Sequence, residues 1–445
     1  MTTEPVHQPP TYQSTWDALI ETMRLLWPTP ATIGVAPDPH DQGHGDQGHG
    51  EGEPVRTAAG VPGGHRVVRE FLVLPDRRHP RVALPVSTAR VTAEALRKHS
   101  QALSLGERAV RTTLSGLVRL PGVHPGLARV APHRIRVSVP QGRSAESFED
   151  HLAGILGREV VVAIGVGQPR ANRKPVLHAL TPQGDTVAYV KVGTKEPTKV
   201  LVRDEAAALG SFWSADRPTT TLRVPRVLHH GRWRGLEVLV LAPLRPESGR
   251  WRRRTVPLSA MRELAGHFGT TESTLARSPV WGLAQDTPDA LRDADHARRF
   301  DRILAAAGAR HGDTKLMLGA WHGDWTPWNM AWSGDHVLLW DFERFATGVP
   351  FGYDLTHYRL QATLRDAGEE GAGRYVRRQF ATDPAHRVPT DDIVFSGNDP
   401  EAVWIAYLVE LARRYTLASE PAEGAPLRAR TTWLLDLLDD LVLRR

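Results

Sequence analysis

The stretch WHGDWTPWNMAW, residues 321–332, is followed closely by a second apolar segment, HVLLW, at residues 336–340. Gly334 and Asp335 lie between the two segments. Such a glycine-containing pair between two short apolar segments is typical of a two-residue β-hairpin turn. The sequence therefore predicts a β-hairpin in this part of the chain.

The register of this hairpin decides which side chains meet at its open end. If Ser333 pairs with His336, Asn329 lies opposite Trp340 and at the same end as Asp341. Asn329 and Asp341 then present two oxygen ligands to one point. Magnesium binds few protein carboxylates and completes its coordination with substrate phosphates, so an asparagine and an aspartate suit this ion.

The tripeptide His-Gly-Asp occurs three times, at His44, His311 and His322. The copy at His44 lies in a polar tract rich in His and Gly, and this composition favours disorder. The copy at His311 is predicted to end a helix, and no polar side chain follows its aspartate by five residues. Only the third copy has Asn329 at that spacing. Its Asp324, on the loop before the hairpin, is placed to accept a proton from an attacking hydroxyl.

Composition limits the classes of function. The chain has 445 residues, 41% of them hydrophobic, a formal net charge of +6 and no cysteine, which excludes disulfides and thiolate metal sites. The longest largely apolar segment, residues 236–244, is too short to span a bilayer, so we expect a cytoplasmic protein with no membrane partner. The basic bias comes without a zinc-finger or RNA-binding motif, and we expect no nucleic-acid partner.

The distribution of polar and apolar segments predicts five regions. They are an N-terminal helix and tail (1–36), a disordered His/Gly-rich linker (37–65), an accessory α+β region (66–158), a β-rich lobe (159–244) and a helical lobe (245–445). The accessory region contains a predicted strand pair and a helical stretch over residues 88–117. No motif in it indicates a function.

Glu205 is a carboxylate on the apolar face of a helix predicted over residues 198–213. A buried carboxylate is costly unless a cation meets it, and Lys191, in the preceding strand VAYVKVG, is a candidate. A strand lysine paired with a glutamate of the next helix positions ATP phosphates in kinases. Alternatively, Glu205 reaches solvent and Lys191 is an ordinary strand lysine.

The motifs HGDWTPWN and LLWDFE resemble the catalytic and metal-binding motifs of the aminoglycoside phosphotransferase and choline kinase superfamily. The resemblance covers residues 159–445. It implies an α+β, protein-kinase-like bilobal fold, with a small antiparallel β-sheet N-lobe and a mostly helical C-lobe, to which the accessory α+β region is added. It also implies ATP as the phosphate donor, with GTP as an alternative, and Mg²⁺ as the metal.

The same resemblance assigns roles around the hairpin. Asp324 corresponds to the catalytic base, and His322 orients the catalytic loop. Asn329 and Asp341 correspond to the magnesium ligands, and Glu343 assists the metal through water.

Further roles concern the nucleotide. Lys191 and Glu205 correspond to the pair that positions the phosphates, and the backbone around Ala242 to Leu244 corresponds to the segment that binds adenine.

The loop GVGQPRANRK, residues 165–174, departs from a glycine-rich phosphate loop. Its cations, Arg170, Arg173 and Lys174, either bind phosphates by charge or cover the surface.

Two features outside these motifs complete the expectations. Asp354, in GVPFGYDLTHY, corresponds to an aspartate that caps a helix and braces the catalytic loop. Several tryptophans surround the motif, and we expect most of them to pack in the core of the helical lobe. Only Trp325 or Trp328 is expected to contact substrate, since an aromatic ring binds a sugar or a cationic amine.

These features predict an ATP- and Mg-dependent phosphotransferase acting on a hydroxyl of a small molecule such as an aminoglycoside, a sugar or an amino alcohol. The alternative is a pseudokinase-like nucleotide-binding scaffold, favoured by the irregular phosphate loop and the unexplained first 158 residues. A protein kinase is the third hypothesis, which the absence of an activation segment between Asp341 and the next helix disfavours. The sequence does not indicate the acceptor or the oligomeric state.

Overall fold

The structure, a computed structural model, describes residues 15–35, 61–98, 133–166, 174–215, 217–245, 255–381 and 392–443. The chain divides into two compact units. The first comprises Met1–Val202 and Val227–Pro243, and the second comprises Arg203–Arg226 and Leu244–Arg445. The predicted disordered tract and the irregular loop around Arg170 lie mostly outside the described residues.

An antiparallel sheet dominates the first unit. Its described strands, in spatial order, are β1 (Thr32–Val35), β4 (Arg134–Pro140), β2 (His65–Leu74), β3 (Val82–Pro85), β5 (Val161–Gly165), β6 (Val176–Leu180), β7 (Thr186–Gly193), β10 (Leu236–Leu241) and β9 (Val227–Trp233). The helices of this unit are α1 (Thr15–Leu26), α2 (Ala89–Lys98) and α3 (Phe148–Leu156), and α4 (Glu196–Ser214) begins in it.

The accessory region and the strands that follow it share one sheet. The two parts join where β3 pairs with β5, with Ala83 opposite Ile164. Alternate residues of β5 lie in two different apolar clusters, because successive side chains of a strand point to opposite faces. Val162 packs in a cluster with α1 and α3, whereas Val161 packs in a cluster with α2. Both faces of the sheet are therefore covered at this strand.

The second unit is mostly helical. Besides the end of α4 it contains α5 (Leu258–His267), α6 (Pro279–Gln285), α7 (Thr287–Ala290), α8 (Ala294–His311), α9 (Tyr353–Gln379), α10 (Asp392–Phe395), α11 (Pro400–Ser419), α12 (Arg428–Val442) and two 3₁₀ segments, Leu275–Arg277 and Ala422–Leu427. Two small sheets accompany them: β11 (Thr271–Thr274), β12 (Lys315–Trp321) and β15 (Ala346–Pro350) form one, and β13 (Met330–Ser333), β14 (His336–Leu339) and β8 (Leu222–Arg223) form the other.

The two units confirm the predicted α+β class, with an antiparallel sheet in one unit and helices in the other. Within the described residues, no helix combines the length and the apolar character that crossing a membrane requires.

Apolar spacing in the sequence predicts one helix from Met261 to Leu275 and one over residues 287–306, and the structure differs in both places. The helix predicted from Met261 to Leu275 ends at His267, and a strand follows Gly269, whose φ is +89°. The helix predicted over residues 287–306 is two helices, because the Asp293 side chain accepts the backbone N–H groups of the next helix and starts it.

Candidate active site

The hairpin has the predicted register. Ser333 pairs with His336, and the Trp340 backbone N–H donates to the Asn329 carbonyl at 3.2 Å. β14 also pairs in parallel with β8. Glu263, on α5, fixes the start of β8 because its carboxylate accepts backbone N–H groups from three successive residues, 220–222. The hairpin thus rests on a strand that is anchored independently.

Asp354 braces the loop that follows β12. Its carboxylate accepts the His322 backbone N–H at 2.8 Å and the Gly323 backbone N–H at 3.3 Å. Burial raises the pKa of Asp354 to about 7, although these two hydrogen bonds oppose the shift. The bracing role is confirmed, but the capping role is wrong. The residue at the cap of α9 is Gly352, and no side chain bonds to that helix end.

His322 joins the loop to the hairpin. The Asp324 backbone N–H donates to His322 Nδ1 at 3.2 Å, and His322 Nε2 bonds to the Trp340 carbonyl at 3.0 Å. Burial lowers the pKa of His322 to about 4, so the ring is neutral at physiological pH. A neutral imidazole with the proton on Nε2 satisfies both bonds, which supports an orienting role for His322.

Hydrogen bonds hold the Asp324 carboxylate on both oxygens. Asn329 Nδ2 donates to Oδ2 at 2.9 Å and to the Asp324 carbonyl at 3.0 Å. His357 Nε2 lies 3.1 Å from Oδ1. The Asp324 side chain is nevertheless 37% exposed, so a hydroxyl group from solvent can reach it.

Three carboxylates meet at the end of the hairpin. Oxygen atoms of Glu205, Asp341 and Glu343 all lie within 4.8 Å of one another, a spacing that suits one metal ion. The Phe342 backbone N–H donates to Glu205 Oε1 at 3.3 Å, which ties α4 to the segment after the hairpin. Asp341 has a φ of +76°, a conformation that aspartate tolerates better than most residues. From the sequence alone, Glu205 is predicted to pair with Lys191 and not to lie beside these two carboxylates.

Lys191 is buried on an interior strand of the first unit's sheet. It lies on β7, opposite Leu239 of β10 and Val176 of β6. Glu205 is fully buried and belongs to the second unit. The pairing of these two residues therefore stays a prediction.

The remaining nucleotide positions are spread along the chain. Lys174 is half-buried just before β6, and Arg170 lies outside the described residues. Ala242 and Leu244 follow β10 and are half-buried, and the boundary between the units falls between Pro243 and Leu244. Their roles stay predictions.

The tryptophans divide by burial. Trp325 is fully buried, and its Nε1–H points to Met330 Sδ at 3.4 Å, so the expectation that it contacts substrate is wrong. Trp328 is half-buried, and the Arg365 guanidinium lies 5.4 Å from its ring centroid. Trp328 therefore keeps the expected substrate role as a prediction.

Sequence reasoning missed the side chains that support the loop from α11. Arg414 donates to the Gly323 carbonyl at 2.8 Å and lies 4.5 Å from the Trp321 ring centroid. The buried Glu410 binds Arg414 at 2.7 Å. No sequence signal links α11 to the loop, since about 90 residues separate them.

His357 and Tyr407 were missed too. His357 follows Asp354 by three residues, a spacing that puts both side chains on one face of a helix and could have identified it.

A substitution of Gly323 tests how tightly this loop is packed. Gly323 has a φ of +80°, and an added Cβ would lie 2.1 Å from the Arg344 carbonyl oxygen. Gly397 has a φ of +81° and no atom within 4 Å of that position, so it is a matched control. We expect Gly397→Ala to lower the free energy of unfolding by about 1–3 kcal/mol. Gly323→Ala should lower the free energy of unfolding further, because the backbone of Arg344 must also move to make room for the new Cβ.

Chemical denaturation of both variants measures this difference. Equal losses in the two proteins would contradict the close contact between Gly323 and Arg344.

Neither a protein-family model nor a curated protein sequence matches this chain. Solved structures do match. One is aminoglycoside phosphotransferase APH(4)-Ia in a ternary complex with ADP and hygromycin B, with 12% identity, a TM-score of 0.41, and coverage of 66% of this chain and 99% of that one.

A second is the streptomycin–ATP–APH(2″)-IIa ternary complex, with 11% identity, a TM-score of 0.37, and coverage of 64% of this chain and 94% of that one. A third is a choline/ethanolamine kinase family protein from Mesorhizobium loti, with 16% identity, a TM-score of 0.35, and coverage of 66% and 95% respectively.

Proposed function

We propose that this chain is an ATP- and magnesium-dependent phosphotransferase that phosphorylates a hydroxyl of a small molecule such as an aminoglycoside, a sugar or an amino alcohol. The observation that carries the proposal is the Asp324 carboxylate, fixed on both oxygens and still 37% exposed. A carboxylate held in this way, with one side open to solvent, is suited to accept a proton from a bound hydroxyl.

The reaction would proceed as follows. The acceptor O–H bond breaks as its proton passes to Asp324. The acceptor oxygen forms a bond to the γ-phosphorus, and the bond from that phosphorus to the bridging oxygen of ADP breaks in line with it. ADP leaves with the electron pair, and the product is a phosphate monoester. Positioning by the loop supplies much of the rate, because the chain itself forms no covalent intermediate.

Magnesium fits the oxygen donors at the end of the hairpin. Asp341, Glu205 and Glu343 would supply carboxylates. Asn329, which lies just before β13 and accepts the Trp340 backbone N–H, would supply an amide oxygen. These are the hard ligands that magnesium prefers. The bound ion supplies positive charge to the phosphate oxygens of the nucleotide.

The nucleotide side of the proposal uses the residues indicated by the motifs. Lys191 binds the α- and β-phosphates, and Lys174 and Arg170 add charge near them. The backbone from Ala242 to Leu244 binds the adenine. GTP is the alternative donor, because these contacts do not by themselves distinguish the two bases.

Calorimetric titration of the full chain with ATP and with GTP, each with and without Mg²⁺, tests this function. We expect saturable binding of at least one nucleotide that strengthens in Mg²⁺ and weakens when a chelator removes the ion. If neither nucleotide binds under either condition, the phosphotransferase proposal fails, and so does the hypothesis of a nucleotide-binding scaffold.

A further inference from the structure

A chain of hydrogen bonds continues behind Asp324, away from its exposed side. His357 Nε2 lies 3.1 Å from Asp324 Oδ1, and His357 Nδ1 lies 2.9 Å from the Tyr407 hydroxyl oxygen. The Gln361 side chain lies beside Tyr407. His357 and Tyr407 are buried, and the sequence predicts no role for either residue.

The direction of each bond in this chain follows from chemistry. An ionised carboxylate only accepts, so His357 Nε2 carries the proton and donates to Asp324. When Nε2 carries the only ring proton, Nδ1 accepts, and the Tyr407 hydroxyl is its donor. Burial raises the pKa of Tyr407 well above its ordinary value, which keeps that hydroxyl protonated. Each of the two bonds made by His357 therefore has one donor and one acceptor.

The consequence for Asp324 is a fixed carboxylate plane. The terminal χ2 torsion of an aspartate has a broad energy minimum, so a single hydrogen bond does not fix the orientation of the carboxylate plane. Asn329 holds Oδ2 and His357 holds Oδ1, so donors on α9 and on the loop before β13 restrain opposite ends of the group.

We infer that His357 is a positioning residue for the phosphotransfer reaction, whose Nε2–H holds Asp324 in the orientation that receives the acceptor proton while Tyr407 fixes the imidazole. This inference rests on the proposed function. It assigns the base a second support that is separate from Asn329 and does not touch substrate or nucleotide.

Two amide substitutions at His357 distinguish loss of the hydrogen-bond donor at the Nε2 position from loss of the imidazole ring itself. In His357→Gln the amide nitrogen reaches about as far as Nε2 and can still donate to Asp324. In His357→Asn the amide is shorter and reaches only the position of Nδ1. We expect His357→Asn to lower kcat for Mg²⁺-dependent ATP hydrolysis by about tenfold to a hundredfold, the scale of misplaced catalytic groups.

His357→Gln should recover most of that loss, and neither substitution should change KM for ATP appreciably. The control variant is His311→Asn. His311 is a buried histidine at the end of α8 and lies outside the proposed site. Wild-type kcat in His357→Asn, or an equal loss in His357→Asn and His357→Gln, would overturn the inference while leaving the proposed function intact. Absence of both hydrolysis and nucleotide binding in wild type would remove the proposed function itself.

Nitrogen-15 NMR of the histidine rings tests the geometry without relying on turnover. We expect His357 to carry its proton on Nε2 and its resonances to shift in Asp324→Ala. Protonation on Nδ1 alone, or resonances that do not respond to Asp324→Ala, would contradict the assignment.

Discussion

Replacing Asp324 with asparagine is expected to reduce ATP turnover by about 10²- to 10⁴-fold, the contribution typical of a positioned general base. An amide cannot accept the acceptor proton. Nucleotide binding should change little, because in this account Asp324 binds neither the metal nor the phosphates. Steady-state hydrolysis and calorimetric titration of the same preparation measure the two effects.

The new amide group brings a second consequence. Its nitrogen would face a donor, either Asn329 or His357, so some local stability is lost. Asp324→Ala, which introduces no donor, is therefore measured beside it. Asp313→Asn is the matched control, since Asp313 is the exposed aspartate of the other described His-Gly-Asp tripeptide. Wild-type turnover in both Asp324 variants would exclude this residue as the base.

Removing the Asp341 carboxylate should abolish the magnesium dependence of nucleotide binding. In Asp341→Ala the apparent magnesium affinity should fall by more than the roughly 10- to 100-fold that loss of an outer-shell partner causes, because a direct ligand is lost. Nucleotide titrations at a series of magnesium concentrations measure this change.

The backbone at Asp341 requires a second variant. Its φ of +76° disfavours alanine, whereas asparagine tolerates that conformation, so Asp341→Asn removes the charge with less strain. Asp335→Ala, at the exposed turn of the same hairpin, is the control. Should both Asp341 variants bind nucleotide with the magnesium response of wild type, the proposed metal site at the hairpin end would be wrong.

The hairpin was predictable because its determinants are local. Gly334 and Asp335 fix the turn, and the period of two in a strand then sets every pair back to Asn329 and Trp340. Asp354 was partly predictable. Its place at a helix start is visible in the sequence, but whether its carboxylate bonds to the helix or to the loop depends on how α9 approaches β12.

The partners of Glu205 and of Asp324 were not predictable in the same way. The burial of Glu205 follows from its position on an apolar helix face. Its proximity to Asp341 depends on the packing of segments that are more than 100 residues apart. His357 and Tyr407 are separated by fifty residues on two different helices. Helix periodicity shows which face is buried but not which helix covers it.

The accessory region shows the same limit. Its strands were visible as strands, yet nothing local indicates that β3 pairs with β5, because any strand edge presents the same backbone groups. The burial of Trp325 is a related case. An aromatic side chain next to a catalytic motif can either contact the substrate or pack in the hydrophobic core, and only the three-dimensional packing distinguishes the two.

Phosphorus-31 NMR of the full chain with ATP, Mg²⁺ and a panel of hydroxylated small molecules tests the central claim most directly. We expect loss of the γ-phosphate resonance and growth of a phosphate monoester with at least one acceptor, or of inorganic phosphate when water replaces the acceptor. Neither change is expected in Asp324→Asn. A γ-phosphate resonance that persists unchanged while nucleotide is bound would contradict the account.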